Sequence, residues 1–173
     1  MDKNKASYKL KGLPPIFYLN LDEQPERKEC IENQFEYWGI ENYTRISAYD
    51  GRDGRDLGDI LKGRYPDSMS SSEVGCTTSH LKAVTEFLKT DSPCALIMED
   101  DCDISTVSHW RFTWKDFYAK VPYDYDVIQL AIINPASVYL KMHRRFVNDF
   151  STACYMITRR HAQKLIDLHV RGD

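Results

Sequence analysis

Four acidic side chains follow directly on an apolar run in the segment CALIMEDDCDI, residues 94–104. They are Glu99, Asp100, Asp101 and Asp103. Like charges this close repel one another, and a carboxylate that is buried without a partner is costly. Either water solvates these groups at the end of a strand, or a positively charged ligand binds among them.

Two pairs of acidic residues in this segment are separated by a single residue, Glu99-x-Asp101 and Asp101-x-Asp103. Oxygen ligands suit hard cations, which bind through one or two carboxylates and the phosphates of a substrate. We therefore predict that these three residues bind Mn²⁺ or Mg²⁺, with the shared Asp101 as the first choice. A solvated acidic loop with capping roles is the alternative. An EF-hand is excluded, because Thr106 stands where that loop needs glycine and Phe112 where it needs glutamate.

Apolar runs alternate with segments of helical periodicity, and this alternation predicts an α/β fold. The predicted strands cover residues 16–21, 43–51, 94–98, 125–133 and 151–158, with a further strand or hairpin arm within 137–147. The predicted helices cover residues 25–39, 70–89, 110–122 and 159–170, with a short helix at 57–61 inside a long loop over 51–72. The strands are mostly unbroken apolar runs, so the sheet should be mostly parallel, with helices on both faces. Ligands bind such sheets at the carboxyl ends of the strands.

The starts of two helices carry local signals. Asp22 is predicted to cap the first helix, in which Pro25 is tolerated in the first turn. Ser70 and Glu73 have the spacing of a capping box and predict the start of the second helix.

Candidate substrate ligands stand near the ends of the first two strands. Arg27, in the first turn after the first strand, could reach a phosphate, because a guanidinium fork matches phosphate oxygens. Asn20 and Asp50 could hydrogen-bond a base or a ribose. Equally, Asn20 and Asp50 could serve turns or caps, and Arg27 could be a solvated helix residue. The sequence has no GxGxxG motif and no P-loop, so the usual glycine-rich phosphate loops are excluded.

The composition indicates one ordinary globular domain. The chain has 173 residues and a net charge of −3, and no basic block points to a nucleic-acid partner. No apolar stretch is long enough for a transmembrane segment. We expect a flexible lead-in over residues 1–13 and a single domain over 14–173. The five cysteines, an odd number without a CxxC pair, favour reduced thiols and a cytoplasmic location.

Several stretches of the sequence resemble glycosyltransferase family 25 in their order and rough spacing. They are FYLNLDEQPERKE, ISAYDG, EVGCTTSHLKAV, ALIMEDDCDI, YDVIQL and ACYMITRRHAQKLI. The family includes bacterial lipooligosaccharide galactosyltransferases and procollagen galactosyltransferases. The resemblance covers roughly residues 14–168, and it is the joint occurrence of the motifs that makes it specific.

The resemblance implies a GT-A-like nucleotide-sugar-binding fold, with a mostly parallel central sheet flanked by helices. It implies an inverting hexosyltransferase that uses a UDP-sugar, most often UDP-galactose, with Mn²⁺ or Mg²⁺ held by the acidic motif. The acceptor would be a glycan or glycoconjugate. Ser79 and His80 lie in the helix that matches the family, and they are assigned with Asp100 to the nucleotide-sugar site. A simply packed helix histidine is the alternative for His80. The oligomeric state stays open.

The chain departs from the family pattern at two places. Gln24 stands where relatives often have a basic residue, which puts one phosphate or base contact in question. Relatives also usually continue past the last matched segment, so the domain is expected to be short at its C-terminus. An inverting transfer needs a general base. Asp126 and Asp149 are the candidates, because they lie near the late strands.

Two other functions fit parts of the sequence. A haloacid-dehalogenase-like phosphatase would use Asp101 as its nucleophile, in an apolar strand followed by Asp-x-Asp-x-Ser. That family, however, needs a downstream lysine and acidic pair, of which the chain has no convincing set. A non-catalytic module that binds a nucleotide sugar is the third possibility.

Overall fold

The computed structural model describes residues 4–54, 57–58, 60–63, 66–132, 142–146 and 149–172. The strands are β1 (Ile16–Asn20), β2 (Tyr43–Ser47), β3 (Cys94–Glu99), β4 (Val127–Gln129) and β5 (Cys154–Thr158). The α-helices are α1 (Pro25–Trp38), α2 (Ser71–Leu88), α3 (Trp114–Tyr118) and α4 (Arg159–His169). Two short 3-10 helices cover Ser7–Leu10 and Ser105–His109.

The strands form one mixed sheet in the order β2-β1-β3-β5-β4. β1 is parallel to both β2 and β3, whereas β5 is antiparallel to β3 and to β4. Four of the strands therefore run in one direction and β5 runs against them. The predicted α/β class is confirmed, with its GT-A-like, mostly parallel sheet flanked by helices.

Each face of the sheet is covered by two helices, because alternate side chains of a strand point to opposite faces. Phe17 and Ile97 pack with Phe87 of α2 on one face, where α4 also lies. Tyr18 packs with Phe35 of α1 on the other face, at 5.6 Å between ring centroids, and α3 lies on this face too. The described part of the chain has no helix with the length and apolarity to cross a membrane.

Local signals placed several elements correctly. The predicted stripe on α1, formed by Ile31, Phe35 and Trp38, is buried. The capping box at the start of α2 is present, with Glu73 accepting from the Ser70 backbone N–H at 2.7 Å. Within the predicted lead-in of residues 1–13, the 3-10 helix places Leu10 against Trp38 of α1.

Other elements differ from the prediction. β4 has only three residues, because it pairs with β5 alone at the edge of the sheet; Ile133, at the end of the predicted strand, lies outside the described residues. The helix predicted over 110–122 is reduced to α3, because Thr113 and Asp116 form a new capping box there.

The short helix predicted at 57–61 is absent from the described residues of that segment, where Leu61 instead pairs with Val170 in an antiparallel bridge. The strand or hairpin arm predicted within 137–147 lies mostly outside the described residues. The described residues 142–146 contain no strand.

The chain that leaves β2 crosses α2 with direct backbone contact. Ser79 accepts a hydrogen bond from the Tyr49 N–H at 2.8 Å and donates one to the Gly75 carbonyl at 2.7 Å. A Cβ atom on Gly75 would lie 2.7 Å from the backbone nitrogen of Gly51, and one on Gly51 would lie 1.9 Å from the Ser71 carbonyl oxygen. Glycine is required at both positions, because a side chain at either one would collide with the backbone of the other segment.

We expect Gly75→Ala to destabilise the protein, although glycine-to-alanine changes inside helices usually stabilise. The added methyl group meets backbone that cannot rotate away, so the unfolding free energy should fall by about 1–3 kcal/mol. Urea denaturation measures this. Ser72→Ala, at an exposed position in the same helix, is the control and should change stability by less than about 0.5 kcal/mol. Equal stability of Gly75→Ala and wild type would contradict the close approach.

Candidate functional site

Three parallel strands end at the same edge of the sheet, and their last residues lie side by side. Asn20 pairs with Ser47 across β1 and β2, and Leu19 pairs with Glu99 across β1 and β3. Glu99 lies two residues after Ile97, so it points to the same face, under α2. The acidic segment that follows β3 therefore starts between the two helical layers.

A buried polar network links the ends of β1 and β3. The amide nitrogen of Asn20 donates to Oδ2 of Asp100 at 2.7 Å and to the Gln24 carbonyl at 3.0 Å. The Arg27 guanidinium lies 2.6 Å from the other carboxylate oxygen of Asp100. Asn20 is 1% exposed and Asp100 9%, so each oxygen of this buried carboxylate has a donor, as burial requires. Arg27, with 44% of its side chain exposed, remains within reach of a ligand.

The next two aspartates have different surroundings. Oδ2 of Asp101 lies 3.1 Å from Arg27, and 58% of the side chain is exposed. Asp103 accepts from the backbone N–H of Ser105 at 2.8 Å and from its hydroxyl at 2.9 Å. These two hydrogen bonds hold the pKa of Asp103 below its ordinary value.

The structure does not gather the predicted metal ligands around one point. Glu99, Asp101 and Asp103 all belong to the described residues, yet their carboxylate oxygens do not come within 4.8 Å of one another as a group. Of this set, Asp101 is the member that contacts Arg27, and more than half of its side chain is exposed. The three-residue metal set stays a prediction.

Glu99 instead meets two side chains of α2. Nε2 of His80 lies 3.4 Å from Oε1 of Glu99, and the ligand atoms of Cys76, His80 and Glu99 all lie within 4.8 Å of one another. Cys76 and His80 are one helical turn apart, so they share a face of the helix.

The charges of this group support one another. Burial would lower the pKa of His80, but hydrogen bonds with Cys76 and Glu99 raise it above its ordinary value. The hydrogen bond from His80 in turn holds the pKa of Glu99 below its ordinary value. Two residues around β5 contact the pair from the other side: Tyr155 Oη lies 3.1 Å from Nδ1 of His80, and the Thr152 hydroxyl donates to Glu99 at 2.6 Å.

A cleft of about 820 Å³ opens beside this group. Its described lining includes Cys76, His80 and Tyr155 on one side, and β4 with the following Leu130 on another. The apolar rings of Phe112 and Phe117 also line it. The cleft is large enough for a small organic ligand and combines apolar walls with a few polar groups.

Asp149 is brought to the same cleft. The residue is 1% exposed, accepts from the Phe146 backbone N–H at 2.6 Å and lies 3.2 Å from Nε2 of His143. His143 also lines the cleft and stacks on the Phe146 ring. A buried carboxylate beside an imidazole is an arrangement that can orient the ring and stabilise its protonated form.

Three other candidates lie elsewhere or have partners within the protein. Asp126 lies at the opposite end of the strands, where its carbonyl accepts from the backbone N–H of Thr158, the last residue of β5, and its carboxylate pairs with Arg160 at 2.7 Å. Ser79 is buried and bonded to backbone on both sides. Asp50 accepts three hydrogen bonds from Arg52, which lower its pKa to about 2. The structure does not bring these three to the cleft.

Sequence reasoning missed Arg45. Its guanidinium donates to the amide oxygen of Asn20 at 2.9 Å and to Asp22 at 2.6 Å. Ser47 donates to the other oxygen of Asp22 at 2.8 Å. Asp22 therefore does not cap α1, which has Gln24 at its N-cap position. The sequence did carry a hint of this role, because Arg45 is the one charged residue of β2.

Comparison with known proteins identifies relatives of this chain. The family model described as "Glycosyltransferase family 25 (LPS biosynthesis protein)" matches residues 13–171. Relatives named "Glycosyltransferase 25 family member" are 30% identical over 99 residues in Drosophila pseudoobscura pseudoobscura and 31% over 111 residues in Drosophila melanogaster. These alignments cover 51% and 58% of this chain but 16% and 18% of the relatives. A mosquito relative, from Aedes aegypti, is 29% identical over 100 residues, 52% of this chain and 16% of the relative. The chain thus spans less than a fifth of the length of these curated relatives.

We expect Asn20→Leu to lower the unfolding free energy by about 1–3 kcal/mol, because a similar volume is kept while a buried carboxylate loses its donor. Urea denaturation measures the loss. Asp126→Asn, at the opposite end of the strands, is the control and should leave the midpoint unchanged. Equal urea midpoints for the two variants would show that the network at the ends of β1 and β3 does not stabilise the fold.

Proposed function

Because the chain belongs to glycosyltransferase family 25, we propose that it transfers a glycosyl group from a nucleotide-diphosphate sugar to a hydroxyl group. The observation that supports this best is the network at the ends of the parallel strands, in which the half-exposed Arg27 is held against Asp100 and Asp101. Breaking the bond to a diphosphate leaving group places negative charge on the phosphates. A fixed arginine near that charge stabilises the transition state more than the ground state.

The donor is proposed to lie along the ends of β1, β2 and β3. Arg27 would contact the diphosphate through its planar fork. Asn20 is largely committed to Asp100 and Arg45, so we propose that it holds the network in place more than it contacts the base. Asp50 lies three residues after the end of β2. We propose that it hydrogen-bonds a hydroxyl of the ribose or a polar group of the base. UDP-galactose is the proposed donor, on the resemblance to family members.

Asp101 fits a hard divalent cation better than its neighbours do. Its carboxylate is exposed and is an oxygen ligand, and Mg²⁺ is often bound by one or two carboxylates together with substrate phosphates. Asp103 would be the second ligand of the predicted set, while Glu99 contacts His80 and Thr152 rather than Asp101. When bound, Mn²⁺ or Mg²⁺ would neutralise charge on the leaving diphosphate.

The acceptor is proposed to bind in the cleft. A hydroxyl that attacks the sugar must lose a proton, and a base in the cleft has to take it. Asp149 was the sequence candidate, and its contact with His143 suggests that the two act together: His143 takes the proton, and Asp149 orients the ring and stabilises the imidazolium. Attack from the side opposite the leaving group would invert the anomeric centre.

The family description names LPS biosynthesis, so we propose a glycan or glycoconjugate of the lipooligosaccharide type. A cytoplasmic location is proposed on the cysteine pattern alone. The phosphatase alternative loses its basis, because the family model spans the acidic segment that suggested it. The non-catalytic alternative is tested by the experiments below.

UDP with Mn²⁺ should raise the unfolding temperature. At 100 times the dissociation constant a ligand adds about 2.7 kcal/mol of stability, which corresponds to roughly 5–10 °C for a chain of this size. Asp101→Asn should remove the part of the shift that depends on Mn²⁺, and Arg27→Ala should weaken the shift by UDP. Differential scanning fluorimetry measures both.

The matched control for these variants is Asp126→Asn, an acidic residue at the opposite end of the strands, whose response should equal that of wild type. A folded protein with no shift at millimolar UDP and Mn²⁺ would contradict the proposed donor site. A full shift in Asp101→Asn would place the cation at other residues.

His143→Gln and Asp149→Asn should each lower the rate of sugar transfer by about 10²- to 10⁴-fold, the usual contribution of a positioned base. UDP binding should stay unchanged in His143→Gln, because the ring is proposed to serve the acceptor. Product formation from radiolabelled UDP-galactose and a panel of glycan acceptors measures the rate. Donor binding by wild type without any transfer or hydrolysis would favour the non-catalytic module.

A further inference from the structure

We propose that Cys76, His80 and Glu99 form a second cation site, which takes a zinc-type divalent ion at the wall of the cleft. The inference stands on the placement of these three side chains and does not depend on the proposed glycosyl transfer. The described part of the chain offers this one group of three metal-binding side chains whose ligand atoms meet.

The separations are close to those of a tetrahedral site. With metal–ligand bonds of about 2.0–2.1 Å, a nitrogen and an oxygen ligand of tetrahedral zinc lie about 3.3 Å apart. Nε2 of His80 and Oε1 of Glu99 are 3.4 Å apart. A thiolate at about 2.3 Å from the metal would lie about 3.6 Å from either atom. The ligand atoms of Cys76, His80 and Glu99 all lie within 4.8 Å of one another, a spread that a single bound ion can draw together.

The kinds of ligand select the class of metal. A thiolate and an imidazole favour zinc and related transition metals, whereas Mg²⁺ and Mn²⁺ prefer oxygen ligands. This group is therefore chemically distinct from Asp101 and Asp103, which offer carboxylate oxygens alone. The spacing Cys76-x-x-x-His80 on α2 places both ligands on one helical face, opposite Glu99 at the end of β3.

The surrounding residues hold the ligands in the required orientation. Tyr155 Oη contacts Nδ1 of His80 at 3.1 Å, which leaves Nε2 free to point at Glu99 and the metal. The hydroxyl of Thr152 donates at 2.6 Å to Oε1 of Glu99, the oxygen that also faces His80, and so holds the carboxylate beside the imidazole. Metal-binding histidines and carboxylates usually have such hydrogen-bond partners.

The fourth position of the site faces the cleft. Cys76, His80, Thr152 and Tyr155 all line that cavity. Zinc sites with three protein ligands and one open position bind water or an oxygen atom of a substrate. The fourth ligand is thus a water molecule or a hydroxyl oxygen of a molecule in the cleft.

Cobalt is the probe for this site, because Co²⁺ replaces Zn²⁺ and has visible absorption. The full chain, reduced and stripped of metal by a chelator, is titrated with Co²⁺. We expect one equivalent to produce a thiolate-to-cobalt charge-transfer band and the intense visible bands of a tetrahedral ion. Zn²⁺ should abolish both, and an excess of Mg²⁺ should not.

Cys76→Ser should lose the charge-transfer band, and Cys30→Ser is its matched control. Cys30 is an exposed thiol on α1, so its replacement should leave the spectrum unchanged. Tyr155→Phe should keep the band and weaken zinc affinity by about 10-fold, the effect expected for a residue that only orients a ligand. Circular dichroism shows whether each variant is folded.

The absence of a thiolate band in the folded wild-type protein would overturn the proposal. A band that survives in Cys76→Ser, or that disappears in Cys30→Ser, would assign the metal to a different thiol and overturn it as well. Asp101→Asn should keep the cobalt spectrum even where it loses the Mn²⁺-dependent shift with UDP, which separates this site from the proposed donor site.

Discussion

The hydrogen bond between Asn20 and Asp100 joins the ends of two parallel strands whose residues lie 80 positions apart in the sequence, and the site depends on it. A carboxamide suits this position because it donates to Asp100 and at the same time accepts from Arg45. An aspartate there would place two negative charges together in a buried setting. Because Asp100 is held in this way, its second oxygen can hold Arg27 at the rim of the sheet.

The pleat of β3 divides one short acidic stretch between two surroundings. Glu99 points toward α2 and meets His80, whereas Asp100 turns toward β1 and Arg27. Adjacent carboxylates therefore avoid each other's charge without leaving the edge of the sheet. The same alternation explains why the acidic segment contacts Arg27 on one side and the wall of the cleft on the other.

Much of this arrangement could be predicted from local patterns, since β1, α1, α2 and β3 carry strong apolar periodicity and caps. Asn20 and Asp100 were singled out because they stand at the ends of two strands, and Arg27 because it lies in the first turn of the helix that follows β1. Strand direction was not visible in the sequence. β5 runs against β3, so Asp149, which precedes β5, reaches the cleft. Asp126 precedes β4, which runs with β3, and so lies at the far end of the strands.

The reversed direction of β5 also bears on how members of the family could diverge. A strand that enters the sheet at the functional edge brings its preceding connection, with Ser151 and Thr152, directly onto the cleft. Insertions or exchanges in that connection can alter which molecule is accommodated without disturbing the ladders of β3 and β5. Changes confined to this one surface connection therefore cost little stability, because the hydrogen-bonded framework of β3 and β5 stays intact.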